Sequence, residues 1–179
     1  MKNAVLMLLA ALVAKGSCAV PVAMTRGGWD GSPVAWRFDA ENRSVDALGV
    51  DDGIFLKTER SARIEASVDV TPKACRSRDW STLGIGVTDD GNNYWRLSFV
   101  QAPRAKDGKD GRRFFELSEM RNGRWLAQNH DRLACAGGGQ EGTWEYGSTY
   151  RLSLKLDPSG IRGEVKDLSG KVLYASRFI

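Results

Sequence analysis

Six side chains in this 179-residue chain could together hold a ligand: Glu65, Trp80, Tyr94, Arg96, Phe114 and Glu116. Flat rings can cover the C–H faces of a sugar, while a guanidinium and a carboxylate offer donors and acceptors to its hydroxyls. Alternation along four extended segments brings the set together. It gives Glu65, Ser67 and Asp69, then Gly84, Gly86 and Thr88, then Tyr94, Arg96 and Ser98, then Phe114, Glu116 and Ser118. The glycines leave room over that face and the serines add hydroxyls. The competing reading is an ordinary solvated sheet face with cross-strand pairs such as Arg96 with Glu116. Trp80 and Trp144 lie in or beside loops and are the tryptophans expected to be exposed for a ligand.

Other constellations are sparser. Asp89, Asp90 and Asn92 place oxygen ligands close together and make a calcium candidate, although a distal glutamate at calcium-loop spacing is missing and a plain turn explains them too. His130 is the only histidine, so any catalytic triad would need it, and no Gly-x-Ser-x-Gly accompanies it. Gly137-Gly138-Gly139 precedes no helical pattern and so is no phosphate cradle.

The elements that must carry these residues read as strands. Leu83–Val100 states strand, turn and strand: Leu83, Ile85 and Val87 alternate with small or polar residues, as do Trp95, Leu97 and Phe99, and Asp89–Asn93 turns between them. Shorter extended pieces are expected at Val34–Phe38 and Gly53–Thr58. Ala62–Val70 alternates until Pro72 stops it. Pro103–Gly111 is a charged, solvent-facing loop and Arg112–Met120 a strand. Asn122-Gly123 is the strongest hairpin signal in the chain, with Trp125 beginning the return. Leu133–Thr143 reads as a loop, and Tyr150–Leu156 and Ile161–Val165 flank an Asp-Pro-Ser-Gly turn before a last strand at Val172–Phe178. No segment repeats apolar residues at helical spacing. About nine short strands joined by hairpins indicate an all-β, antiparallel two-sheet sandwich.

The first residues form a separate object. Lys2, the apolar run Ala4–Ala14 and the small residues Ser17-Cys18-Ala19 have the layout of a signal peptide over residues 1–19, too short to span a bilayer. A buried helix is the other reading. A lipid anchor on Cys18 is disfavoured because Lys15 stands where such signals usually carry leucine. The domain plan is then a 20–33 lead-in and one domain over 34–179, secreted or periplasmic, with no membrane span. Without Lys2 and Lys15, 24 of the 26 basic residues face 22 acidic ones, a balance that argues against a nucleic-acid partner. Cys75 and Cys135 would remain, and two cysteines in an exported protein most simply form one disulfide. It would close a loop of about 60 residues and stabilise by roughly 4 kcal/mol.

The order Gly84-Ile85-Gly86-Val87, an acidic-Gly-Asn turn, Asn93–Phe99, then Phe114–Met120 ending in Asn-Gly-Arg-Trp, then Trp144–Asp167, resembles the jelly roll of the concanavalin A-like lectin and glucanase superfamily, laminin-G-like members especially. The resemblance covers residues 36–179 and implies a concave sheet that carries glycans, with calcium as an occasional loop ligand. Its glucanase branch implies hydrolysis by a Glu-x-Asp-x-Glu strand. Here the matching strand reads Phe115-Glu116-Leu117-Ser118-Glu119, whose two glutamates, three apart, point to opposite faces unless a bulge intervenes. Such jelly rolls also carry a further strand after the Val172–Phe178 position. Its lack implies an incomplete sandwich or an edge filled by Trp36–Phe38, and an edge left open would attract a protein partner. The resulting expectation is an exported, noncatalytic carbohydrate-binding sandwich. A secreted glycoside hydrolase or hydrolase-associated module, and a protein-interaction domain, are the alternatives.

Overall fold

The structure is a computed structural model that describes residues 4–9, 36–39, 41–42, 44–47, 53–55, 62–73, 79–90, 92–105, 108–126, 133–134 and 143–178. Every element among these is a strand, as the period-two alternation predicts. One sheet has six strands: β1 (Ala4–Leu9), β4 (Gly53–Phe55), β6 (Ser81–Asp90), β7 (Asn93–Gln101), β8 (Arg113–Arg121) and β9 (Arg124–Leu126). Their order is β4-β1-β6-β7-β8-β9. The second sheet runs β10-β13-β12-β11-β5, built from β10 (Leu133–Ala134), β13 (Val172–Phe178), β12 (Gly160–Asp167), β11 (Tyr150–Asp157) and β5 (Ile64–Val70). A separate hairpin pairs β2 (Trp36–Asp39) with β3 (Ser44–Ala47).

The turns form where the sequence supplies residues that tolerate them. Asn122 and Gly123 both take positive φ, at 50° and 70°, and join β8 to β9 in a two-residue hairpin. Asp157 accepts from the backbone N–H of Ser159 and so closes the turn between β11 and β12.

The two sheets meet through their apolar faces. Ile85, Val87, Leu97, Phe99, Phe115 and Leu117 of one pack with Leu152, Leu154, Ile161, Val165 and Tyr174 of the other. Phe99, Phe115 and Tyr150 stack at its centre with centroids 5.5 to 5.9 Å apart. The sheets approach closely at Gly163 of β12, where a Cβ would lie 3.1 Å from Leu97 Cδ1 and 3.2 Å from Leu117 Cδ1. A polar strut crosses the same space, for the Leu117 N–H donates to the Tyr174 hydroxyl at 2.9 Å. Tyr174→Phe leaves that buried N–H without this acceptor, so we expect a loss of about 1–3 kcal/mol, read as a lower urea midpoint at unchanged slope. Parental stability in the variant would show that the strut contributes nothing.

Several expectations need correction. Trp144 is not exposed: it is only 3% accessible, its ring meets Phe99 edge-on, and its Nε1–H donates to the carbonyls of Val100 and Phe114. Trp36–Asp39 pairs with β3 and fills no edge of the five-stranded sheet, whose β13 is flanked instead by β12 and the two residues of β10. Leu133–Ala134, read as loop, is that short strand. Ala4–Leu9 is a strand lying parallel to both β4 and β6, in place of the helix that was the alternative to a leader. Residues 20–33, Cys75, Cys135, His130 and Gly137–Gly139 lie outside the described residues, and so does the expected pairing of the two cysteines. Among the described residues no helix is long and apolar enough to cross a membrane.

Candidate functional site

The outer face of the six-stranded sheet is set by unbroken pairing of β7 with β8 and by β6 up to Thr88. Because side chains alternate, residues opposite one another share a face. One row holds Gly86, Arg96 and Ser118, the next Gly84, Ser98 and Glu116, and the next Thr82, Val100 and Phe114. On the other side of Arg96 a row of Thr88, Tyr94, Met120 and Trp125 closes the series. Tyr94, Arg96, Phe114 and Glu116 are therefore brought together as expected.

Glu65 is not among them. Its strand, β5, pairs with β11 in the other sheet, and Glu65 lies exposed there, 3.8 Å from Lys155. Alternation along Ile64–Val70 fixes which side chains face inward, but it carries no information about which sheet the strand joins.

The face is also not an open, solvated surface. Arg96 is 1% accessible, Ser98 and Ser118 are sealed, and Glu116 is 8% accessible. The Arg96 guanidinium lies 4.5 Å beneath the centre of the Trp125 ring, which tilts against Tyr94. At the far end Trp80 meets Phe114 edge-on at 6.4 Å. Trp80 and Trp125 keep 47% and 40% of their surface exposed, so each presents a ring to solvent at the margin of a buried polar patch. Trp125 is the site residue that sequence reading passed over. The Asn122-Gly123 turn carried the signal, since a two-residue hairpin after Arg121 places Trp125 opposite Met120.

Burial sets the electrostatics. Desolvation pulls the Arg96 guanidinium below its ordinary pKa, opposed by Tyr94 and Glu116. It pushes the Glu116 carboxyl up, opposed by Arg96, and the Tyr94 phenol up as well. Arg96 and Glu116 sit diagonally, on adjacent rows, and sense each other's charge without an ion pair at contact distance. Arg96 Nε and Nη1 find no hydrogen-bond acceptor, nor does Ser98 Oγ find a partner. Since buried donors are normally paired, a guanidinium with two orphaned nitrogens is an unmet demand for acceptors.

Glu119 points to the opposite face, where it is buried and paired with Arg121 at 2.7 Å. No bulge interrupts β8 against β7, so the parity argument holds, and Glu116 is the only carboxylate on the described part of the outer face. At the calcium candidate, the Asp90 carboxylate accepts from the Asn92 N–H at 2.7 Å and from Asn93 Nδ2 at 3.1 Å. These bonds tie it to the hairpin turn, and a register shift falls between Thr88 and Asp90. Asn92 contributes its carbonyl to the Gly123 N–H, and the Asp89 side chain is not among those described. Among the described residues no group of three or more His, Cys, Asp and Glu gathers as metal ligands would.

No protein-family model, curated protein or solved structure matches this chain. The reading of the site rests on its own geometry.

Proposed function

We propose that this is an exported protein that binds carbohydrate noncatalytically on the outer face of the sheet formed by β6, β7, β8 and β9. One observation carries the reading: Trp80 and Trp125, both half-exposed, stand at opposite ends of a row of buried polar side chains that includes an under-bonded arginine. Along β8 the two ends are six residues apart, roughly 20 Å at about 3.3 Å per residue, a span suited to an oligosaccharide rather than a single sugar. The exposed rings of Trp80 and Trp125 would cover the sugar faces. The resemblance to concanavalin A-like sandwiches belongs to the same proposal. Hydrolysis by a carboxylate pair fits less well, because the described residues of this face offer Glu116 alone.

A glycan array probed with the full chain tests the proposal. Trp80→Ala and Trp125→Ala should each weaken binding about tenfold, or about 1.4 kcal/mol. Circular dichroism should show an unchanged fold, since both rings are largely outside the core. Binding that survives both substitutions, or no retained glycan at all, would overturn it.

A further inference from the structure

We propose that Arg96 selects anionic sugars, receiving a carboxylate or sulfate group of the glycan on its guanidinium once the Trp125 ring swings aside. This rests on the carbohydrate reading and names the class of sugar. Three features point the same way. The guanidinium is sealed, yet two of its nitrogens have no acceptor, so the fold holds a charge that its own residues do not satisfy. Its cross-strand neighbours do not supply the acceptor, because Gly86 on one side has no side chain and the Ser118 hydroxyl on the other donates to the Arg96 carbonyl. Among the described residues the ring over it is that of Trp125, held by a three-residue strand and attracted to the cation without hydrogen-bonding it. An anionic substituent offers what that ring cannot, namely charge-assisted hydrogen bonds to a planar donor fork.

Glu116 shapes the selectivity. As a carboxyl one row away it competes for the same cation when ionised, and burial favours its neutral form, in which it adds a donor to the site. A neutral sugar gains less from a bare guanidinium, since a hydroxyl is a weaker acceptor than an anion.

The experiment is affinity electrophoresis of the full chain at about 0.15 M salt, where exposed charges are screened beyond roughly 8 Å. The gels contain polygalacturonate, dextran sulfate, or the neutral polymers dextran and laminarin. At least tenfold tighter retention by one of the anionic gels than by the neutral ones supports the inference, and which anionic gel prevails tells carboxylate from sulfate. Arg96→Met should bring the anionic-to-neutral ratio to about one. In gels run at a pH where that carboxyl is ionised, Glu116→Gln should raise it several-fold by removing the competing charge, an outcome that does not depend on how the arginine variant folds. Retention by neutral gels alone sinks the inference and leaves the carbohydrate reading standing, whereas retention by none sinks both. An anionic preference that neither substitution changes would mean that other basic residues cause it, and would also overturn the assignment.

Discussion

The double variant Arg96→Met/Glu116→Leu is expected to unfold at a higher temperature than the parent chain. Both side chains are buried, and at least two guanidinium nitrogens lack acceptors, so the fold bears a desolvation cost with incomplete compensation. Replacing such a pair by apolar groups of similar volume typically stabilises by about 1–4 kcal/mol. At about 2–4 °C per kcal/mol for a chain of this size, calorimetry resolves the gain easily. The gap should depend on pH in a definite direction. The folded carboxyl of Glu116 has a raised pKa, burial pushing it up against the opposing pull of the Arg96 guanidinium. A raised value means that the folded state holds the proton more tightly than the unfolded one. The parent is therefore best off below the ordinary carboxyl range and loses stability as pH rises through the folded value. The variant has no such loss, so its advantage widens from acid to neutral pH. A double variant less stable than the parent by more than about 1 kcal/mol would make Arg96 a structural residue and remove the reason to regard it as a site.

The largest destabilisation should come from Gly84→Ala. A Cβ there would fall 2.0 Å from the Leu97 carbonyl oxygen and 2.8 Å from Ser98 Cα, both backbone atoms of the paired strand. A flexible side chain could rotate away, but a ladder strand cannot move without breaking its hydrogen bonds. A loss of about 4 kcal/mol or more follows, a large share of the roughly 5–15 kcal/mol that holds a domain together. We expect the variant to be largely insoluble, or its urea midpoint to collapse. A shift below about 1 kcal/mol would show that β6 and β7 do not approach at Gly84 as described.

Local signals were legible where they determine local structure. The alternation of Leu83–Val100 located the central hairpin and the direction of Leu97 against Arg96, and Asn122-Gly123 and Asp157–Gly160 marked their turns correctly. The spacing of Glu116 and Glu119 correctly placed them on opposite faces. Properties that depend on distant partners were not legible. Nothing in Ile64–Val70 says that β5 joins β11 and carries Glu65 to the other sheet. Alternation tells which side of β7 Arg96 occupies, but not that Trp125 covers it. Trp144 was misplaced because its loop position suggests exposure, whereas its burial depends on carbonyls 44 and 30 residues away. Ser44–Ala47 was missed because four mixed residues show too little period to register as a strand.

The apolar stretch at the beginning of the chain cannot be both discarded and retained. Ala4–Leu9 lies as a parallel rung between β4 and β6, aligned from Ala4 beside Ser81 to Leu8 beside Ile85. A peptidase cutting after Ala19 would withdraw that rung, strip β6 of its neighbour and cast β4 loose. After such a cut β6 would be left with a vacant berth, and backbone groups left unmatched there would attract an extended peptide.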